Sequence, residues 1–493
     1  MQETSCDVLV VGGGINGAGI ARDLAGRGLR VVLAEQDDLA AHTSSASTKL
    51  IHGGLRYLEY YEFGLVRKAL QEREGLLKSA PHIMWPLRFV MPHDPAMRPA
   101  WMIRAGLFLY DHLAKRELLP GSTGVNLRAS PLGAPLKPQF TRGFVYSDGW
   151  VDEARLVVLC AIDARERGAD IRTRTRCTAA VRGSAGWNAT LEGRDGRTAV
   201  QARALVNAAG PWAERFLRQA AQPAHGEALL TKSLRLVKGS HIVVPRCFEH
   251  DHAYIFQNPD KRIIFAIPYE GRFTLIGTTD VEQDGDPAEA RIARDEVAYL
   301  CEQASRYFER PVTPQQVCWS YSGVRPLLDD GADAAAVTRD YALESRHDGA
   351  PLLSVWGGKI TTFRKLAEEA ADEVCRLLGE RRAAWTAGAV LPGGDLGMDF
   401  ESFVKTLPVP PPLARRLARA YGTRAPRVLA RGLGAEVAPG LHEGELQHLC
   451  DDEWATTADD VLWRRSKLGL HLDEPARARV AAWMGEHAEA ACS

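Results

Sequence analysis

The chain has 493 residues, 45% hydrophobic and 25% charged, and its 61 Lys and Arg nearly balance its 62 Asp and Glu for a net charge of −1. That length allows two or three domains with ordinary cores, and the composition excludes disordered and fibrous chains. The charge balance gives no global reason to expect nucleic acid as a partner. Nine cysteines stand singly between Cys6 and Cys492. With no C-x-x-C pair, no zinc, iron–sulfur or other metal site is expected, and a reducing compartment fits. The first strand begins after five residues, which leaves no room for a signal peptide. The most apolar helical candidate, Trp101 to Tyr110, is too short to span a membrane and contains Arg104.

Cys6 to Val11 reads as a buried strand, and Gly12-Gly13-Gly14-Ile15-Asn16-Gly17 is a G-x-G-x-x-G loop that leads into a helix running from about Ile20 to Arg27. Gly28 closes that helix. A second strand, Leu29 to Ala34, ends in Glu35, eighteen residues after Gly17. The order describes a dinucleotide-binding unit: Gly12 makes the turn, Gly14 admits the pyrophosphate, Gly17 packs helix on strand, and Glu35 accepts from a ribose hydroxyl. The same carboxylate would repel the 2′-phosphate of NADP.

A run of small hydroxyl residues, Thr43 to Thr48, then precedes Lys49-Leu50-Ile51-His52-Gly53-Gly54-Leu55-Arg56-Tyr57. From residue type alone it is equally a loop along a cofactor or a solvated linker. Taken together, Gly12 to Gly19, Ser44-Ser45-Ala46-Ser47, Lys49 to Glu59, Asn207 to Trp212, Lys238 to His241, Gly277 to Asp280, Tyr321 to Pro326, Thr338 to Tyr341 and Gly357 to Ala367 resemble the FAD-dependent, respiratory glycerol-3-phosphate dehydrogenases over nearly the whole chain. One departure is Phe363, where that family usually has Tyr. The resemblance implies FAD as cofactor, held by Gly12, Gly14, Ile15, Asn16, Gly17, Glu35, Ser44, Ser45, Ser47, Lys49, Leu50, Ile51, Ala209, Gly210, Gly358, Lys359, Ile360, Thr361 and Thr362. The substrate it implies is sn-glycerol 3-phosphate, the product dihydroxyacetone phosphate, and the electron acceptor a membrane quinone, ubiquinone or menaquinone.

Later segments agree with this reading. Leu205 to Gly210 is an apolar strand running into small residues, which suits backbone pressed against a ligand. Leu352 to Trp356, Gly357-Gly358 and the amphipathic stretch from Thr361 to Leu378 repeat the order strand, glycine turn, helix, so a second helix N-terminus can face the cofactor. No other G-x-G-x-x-G occurs, which argues against a second nucleotide fold for NAD(P). The expected architecture is α/β: a discontinuous Rossmann-like FAD domain of the glutathione-reductase and amino-acid-oxidase type (1–80, 147–215 and 320–385), an antiparallel-sheet substrate or capping domain (81–146 and 216–319), and a C-terminal helical domain (392–493).

A phosphate monoester needs cations of fixed geometry. Arg56, Arg325, Arg339 and Lys359 are the candidates, with Tyr57 alongside. Alcohol oxidation also needs a group that takes the hydroxyl proton; His52 is favoured and His241 is its rival, with Arg325 and Lys359 stabilising the developing charge. Between Ser402 and Ala435 there is no acidic residue, while Lys405, Arg415, Arg416, Arg419, Arg424, Arg427 and Arg431 accumulate. That surface is expected to rest on anionic lipid at the cytoplasmic face of the inner membrane, with 101–103 and 107–110 as an alternative apolar footprint. A homodimer is compatible with the sequence, which leaves oligomeric state open. Rival readings are an oxidase that reduces oxygen to hydrogen peroxide, an amine or amino-acid oxidase, and a catalytically silent flavin-binding protein.

Overall fold

A computed structural model describes residues 3–223, 229–230, 232–260, 262–329 and 340–490. The strand Glu3–Val11 pairs in parallel with Val31–Ala34 on one side and Gly196–Asn207 on the other, and Leu352–Trp356 and Asp170–Arg172 extend the parallel sheet at its two flanks. Side chains alternate from Val8 to Val11: Val8 and Val10 enter one core with the helices Ile15–Gly26, Glu153–Glu166 and Phe363–Leu378, while Leu9 and Val11 enter another with Trp187, Phe216 and Trp356. The first helix starts at Ile15, directly on the glycine loop, rather than at Ile20. Phe363 is buried against Gly19, where a Cβ would lie 3.0 Å from its ring, so the position that departs from the family is a packing contact.

A second, ten-stranded sheet is mostly antiparallel and is built around Leu234–Pro245, Ile263–Tyr269, Phe273–Gly277, Ala253–Gln257 and Met84–Pro92. Three strands that lie wholly or partly outside the expected 81–146 and 216–319 segments also join it. Leu50–Ile51, Arg142–Val151 and Trp319–Leu328 pair within this sheet rather than with the nucleotide-binding one, Trp319–Leu328 along the whole of Leu234–Val243. Alternating apolar patterning marks a strand but not which of two adjacent sheets it joins.

Residues 400–490 form five α-helices around a separate apolar cluster that includes Leu417, Tyr421, Leu446, Val461 and Val480. This region grips the nucleotide-binding sheet through buried ion pairs: Arg155 with Glu453, and Arg465 with Asp38 at 2.7 Å. The basic run expected as a lipid-facing surface over 402–435 is largely ion-paired. Arg415 pairs with Glu401, Arg416 with Glu445, Arg424 and Arg427 with Glu166, and Arg431 with Asp451 and Asp452, while Arg419 lies over the rings of Trp85 and Phe400. Acids from other segments thus pair with five of the seven basic residues, Arg424 and Arg427 sharing Glu166, while Lys405 stays exposed. The exposed apolar side chains gather elsewhere, on the helix Ala100–His112 and the turn beside it: Trp101 is 71% and Tyr61 80% exposed, with Tyr60, Phe63, Met102, Phe108 and Leu109 also open to solvent.

Candidate functional site

The carboxyl ends of Glu3–Val11, Val31–Ala34, Gly196–Asn207 and Leu352–Trp356 point the same way, and the loops that leave them enclose a cleft of about 490 Å³. It is lined by Gly12, Gly14, Ile15, Asn16, Glu35, Ala209, Gly210, Gly357 and Gly358. Gly12 has φ +113°, and a Cβ there would lie 2.4 Å from the Ala208 carbonyl oxygen. The helix Ile15–Gly26 opens on the cleft with no side-chain cap and no acidic residue in its first turn, leaving its positive end available to an anion. The Ile15 N–H is oriented by Ser44, donating to its Oγ at 2.9 Å. Glu35 accepts from the N–H of Gly13 at 2.6 Å and of Asp37 at 2.8 Å, which fixes the carboxylate on the cleft wall; burial pushes its pKa up. Asn16 donates from Nδ2 to the Gly357 carbonyl at 3.0 Å, tying the two glycine turns together, and its buried Oδ1 has no partner among the described residues.

At Ile15, Ser44, Gly357 and Gly358 the cleft opens into a second cavity of about 330 Å³ between the two sheets. His52, Arg56, Tyr57, His241, Arg325, Lys359 and Thr361 all line it, together with Ser47, Leu50 and Ile360. Arg56 makes no hydrogen bond or ion pair with another described residue, so its guanidinium faces the cavity uncommitted. Arg325 is ion-paired with Asp280 and donates to Thr278 Oγ1 at 3.0 Å. Gly239 makes room for it, since a Cβ there would fall 2.2 Å from a guanidinium nitrogen. The Lys359 ammonium stands 4.0 Å from the centre of the Tyr57 ring. His241 is stacked on Tyr321 at 4.8 Å and shares a 2.9 Å hydrogen bond with Thr48 Oγ1. Burial, then the charges of Arg325 and Lys49, hold its pKa well below the ordinary histidine value, which leaves a neutral imidazole and a reluctant proton acceptor.

Several expected contacts fall outside the two cavities. Gly17 supports the loop from behind, Ile51 and Thr362 are core residues, and Ser45 lines a small side cavity beside Trp319. The Lys49 side chain is committed elsewhere. It turns away from the cofactor cleft and forms a fully buried ion pair with Glu153, 104 residues away, with its ammonium 4.8 Å from the Tyr321 ring centre. Arg339 lies outside the described residues. Asp280, Thr278 and Thr48 sit in segments whose motifs are legible, but their roles as partners of Arg325 and His241 follow only from the tertiary pairing of Leu234–Pro245 with Phe273–Gly277 and Trp319–Leu328. Replacing Lys49 with Met strands the Glu153 carboxylate in the interior and should cost about 3–5 kcal/mol. Urea unfolding followed by tryptophan fluorescence measures this, and Lys49→Met with Glu153→Leu should recover most of the loss.

Residues 7–364 match the family described as FAD dependent oxidoreductase, and residues 384–490 match the C-terminal domain of alpha-glycerophosphate oxidase. A glycerol-3-phosphate dehydrogenase of Pseudomonas aeruginosa is 53% identical over 98% of this chain and 95% of its own length. The chain belongs to the FAD-dependent glycerol-3-phosphate dehydrogenase family. A D-erythritol 1-phosphate dehydrogenase of Brucella abortus is 49% identical over 98% of both chains. The crystal structure of the glycerol-3-phosphate dehydrogenase from Bacillus halodurans complexed with FAD superposes with a TM-score of 0.79 at 28% identity, covering 98% of this chain and 91% of that one. The present fold is thus that of an FAD-dependent oxidoreductase, and its residues fit the cofactor: uncapped helix end, glycine cradle, buried Glu35 and the orphaned Asn16 Oδ1 all lie along one cleft. FAD is the cofactor of this enzyme.

Proposed function

We propose that the enzyme oxidises sn-glycerol 3-phosphate to dihydroxyacetone phosphate and passes the electrons to a membrane quinone. The observation that carries this reading is the uncommitted Arg56 guanidinium in the cavity that adjoins the cofactor cleft, four residues beyond His52 and in the same cavity as Lys359. A phosphate dianion is matched by a guanidinium that no protein carboxylate has claimed, and Lys359 adds a second cation. Arg325 plays a different part. Already neutralised by Asp280 and oriented by Thr278, it is a fixed donor for the substrate hydroxyl rather than the main phosphate anchor. His52 takes the hydroxyl proton, and His241, buried and held neutral, orients Thr48 on the cavity wall. Bound FAD supplies a two-electron acceptor for the hydride from C2.

The apolar surface at Tyr60, Tyr61, Phe63, Trp101, Met102, Phe108 and Leu109 is the proposed membrane contact, in place of the 402–435 surface. Tyr60 also lines the substrate cavity, so a protein seated there holds the mouth of its site at the bilayer. Among the described residues no helix is long and apolar enough to cross a membrane. Replacing Trp101 and Phe108 with Glu should move the protein from the floating to the soluble fraction in vesicle flotation, and should slow turnover with a membrane-embedded quinone while sparing a water-soluble analogue. Neutralising Arg427 and Arg431 should leave flotation unchanged.

The relative that acts on D-erythritol 1-phosphate makes a four-carbon polyol phosphate the competing substrate, and an oxidase is the competing chemistry. Comparing kcat/KM for the two esters, with quinone-dependent turnover set against peroxide formation in air, tests both. Preference for the three-carbon ester without stoichiometric peroxide supports the proposal; preference for erythritol phosphate, or one peroxide per substrate, contradicts it.

A further inference from the structure

His52 sits on a turn whose backbone is pinned from two sides, and one of the pins is a buried charged network that binding alone does not require. On the cofactor side the His52 N–H donates to Thr361 Oγ1 at 3.1 Å. On the other side the next amide, that of Gly53, donates to Tyr110 Oη at 2.8 Å, and at a longer 3.3 Å to Asp148 Oδ1. The Tyr110 hydroxyl donates to Asp148 Oδ1 at 2.7 Å, and Arg73 donates to the same oxygen at 2.6 Å and to the Ser147 carbonyl at 3.0 Å. Asp148 is 3% exposed and Arg73 and Tyr110 2% each.

The register explains how these groups meet. Ile51 pairs with Gly149, so Asp148 falls beside the chain as it leaves the strand at His52. The approach also depends on residue 53 having no side chain, because a Cβ there would lie 2.4 Å from Leu70 Cδ2 and 2.7 Å from Tyr110 Oη. A buried Asp–Arg pair is a poor way to gain stability, since desolvation offsets most of its attraction and apolar residues of similar size would serve as well. What the pair does provide is a fixed acceptor that holds Tyr110, and through Tyr110 the peptide that follows His52. Catalytic efficiency is sensitive to displacements of about 1 Å in such a group.

We propose that Tyr110 and Asp148 are positioning residues that hold His52 for proton transfer. This rests on the reading of His52 as the group that takes the hydroxyl proton. The test is the rate of flavin bleaching after anaerobic mixing of the holoenzyme with sn-glycerol 3-phosphate, normalised to bound FAD, for Tyr110→Phe, His52→Asn and the double variant. Tyr110→Phe should lower the limiting rate about tenfold while the substrate concentration for half-maximal rate and the FAD content stay at native values. In the His52→Asn background it should have no further effect, because the two changes act on the same step. Asp148→Asn, which keeps the shape of the site, should reproduce the slower limiting rate and serves if the Tyr110 variant fails to fold. A native limiting rate per flavin in both Tyr110→Phe and Asp148→Asn overturns the proposal, as does an equal fall from Tyr110→Phe with and without His52. A native rate in His52→Asn overturns the proton-transfer assignment itself, and the positioning role falls with it.

Discussion

Arg56→Ala is expected to raise KM for sn-glycerol 3-phosphate by about one to two orders of magnitude while the protein still purifies yellow. A hydrogen bond to a charged partner contributes about 1.5–3 kcal/mol, and this guanidinium has no competing partner among the described residues, so the whole interaction is lost on truncation. Arg56→Lys should recover only part of it, since an ammonium keeps the charge but not the two-pronged geometry. Arg325→Ala should behave differently. Its removal takes the Arg325 charge and its oriented donor out of the cavity and leaves the Asp280 carboxylate without that ion pair, so KM and kcat should worsen together. Adding Asp280→Asn should restore part of the KM but not kcat. Steady-state kinetics with a soluble quinone analogue separates these cases, and an unchanged KM in Arg56→Ala would remove the phosphate anchor from the account.

Gly17→Ala is expected to give protein that purifies colourless or nearly so. One added methyl at this position would lie 1.9 Å from the Gly12 carbonyl oxygen and 3.4 Å from the Ala208 Cβ. The first of these is a backbone atom of the loop that cradles the cofactor, and Gly12 is already committed to a positive φ. The helix must therefore shift away from the loop, which withdraws the N–H groups that face the phosphates. The ratio of absorbance near the flavin band to that of the protein, compared with the native enzyme, reads the outcome directly. Native occupancy in Gly17→Ala would mean that the helix and loop are less tightly coupled than the contacts require.

The parts of this molecule that were legible in its sequence are those whose chemistry is local. The glycine loop and the acid at Glu35 lie within one strand–helix–strand unit, and their spacing alone dictates which amides and carboxylate face a dinucleotide. The run from His52 to Tyr57 is similar: one short loop carries three of the groups that line the substrate cavity, His52, Arg56 and Tyr57. What failed depended on partners far along the chain. The basic residues after Ser402 read as a charged surface because their acids, among them Glu166 and Glu445, belong to other segments. Lys49 read as a cofactor contact because Glu153 is 104 residues away. Asp148 and Tyr110, 95 and 57 residues from Gly53, carry no local signal at all and become visible only when the sheet brings Gly149 opposite Ile51. The parts of Arg142–Val151 and Trp319–Leu328 expected in the nucleotide-binding unit pair in the other sheet for a related reason, since patterning sets the face of a strand but tertiary pairing sets its neighbours.

The most direct measurement is anaerobic mixing of the purified yellow protein with sn-glycerol 3-phosphate while flavin absorbance is followed, and then addition of a quinone analogue. The account predicts bleaching on substrate and return of the oxidised spectrum on quinone, with one quinone reduced per flavin. A flavin that stays oxidised in the presence of the ester, or bleaches equally with glycine, would contradict it.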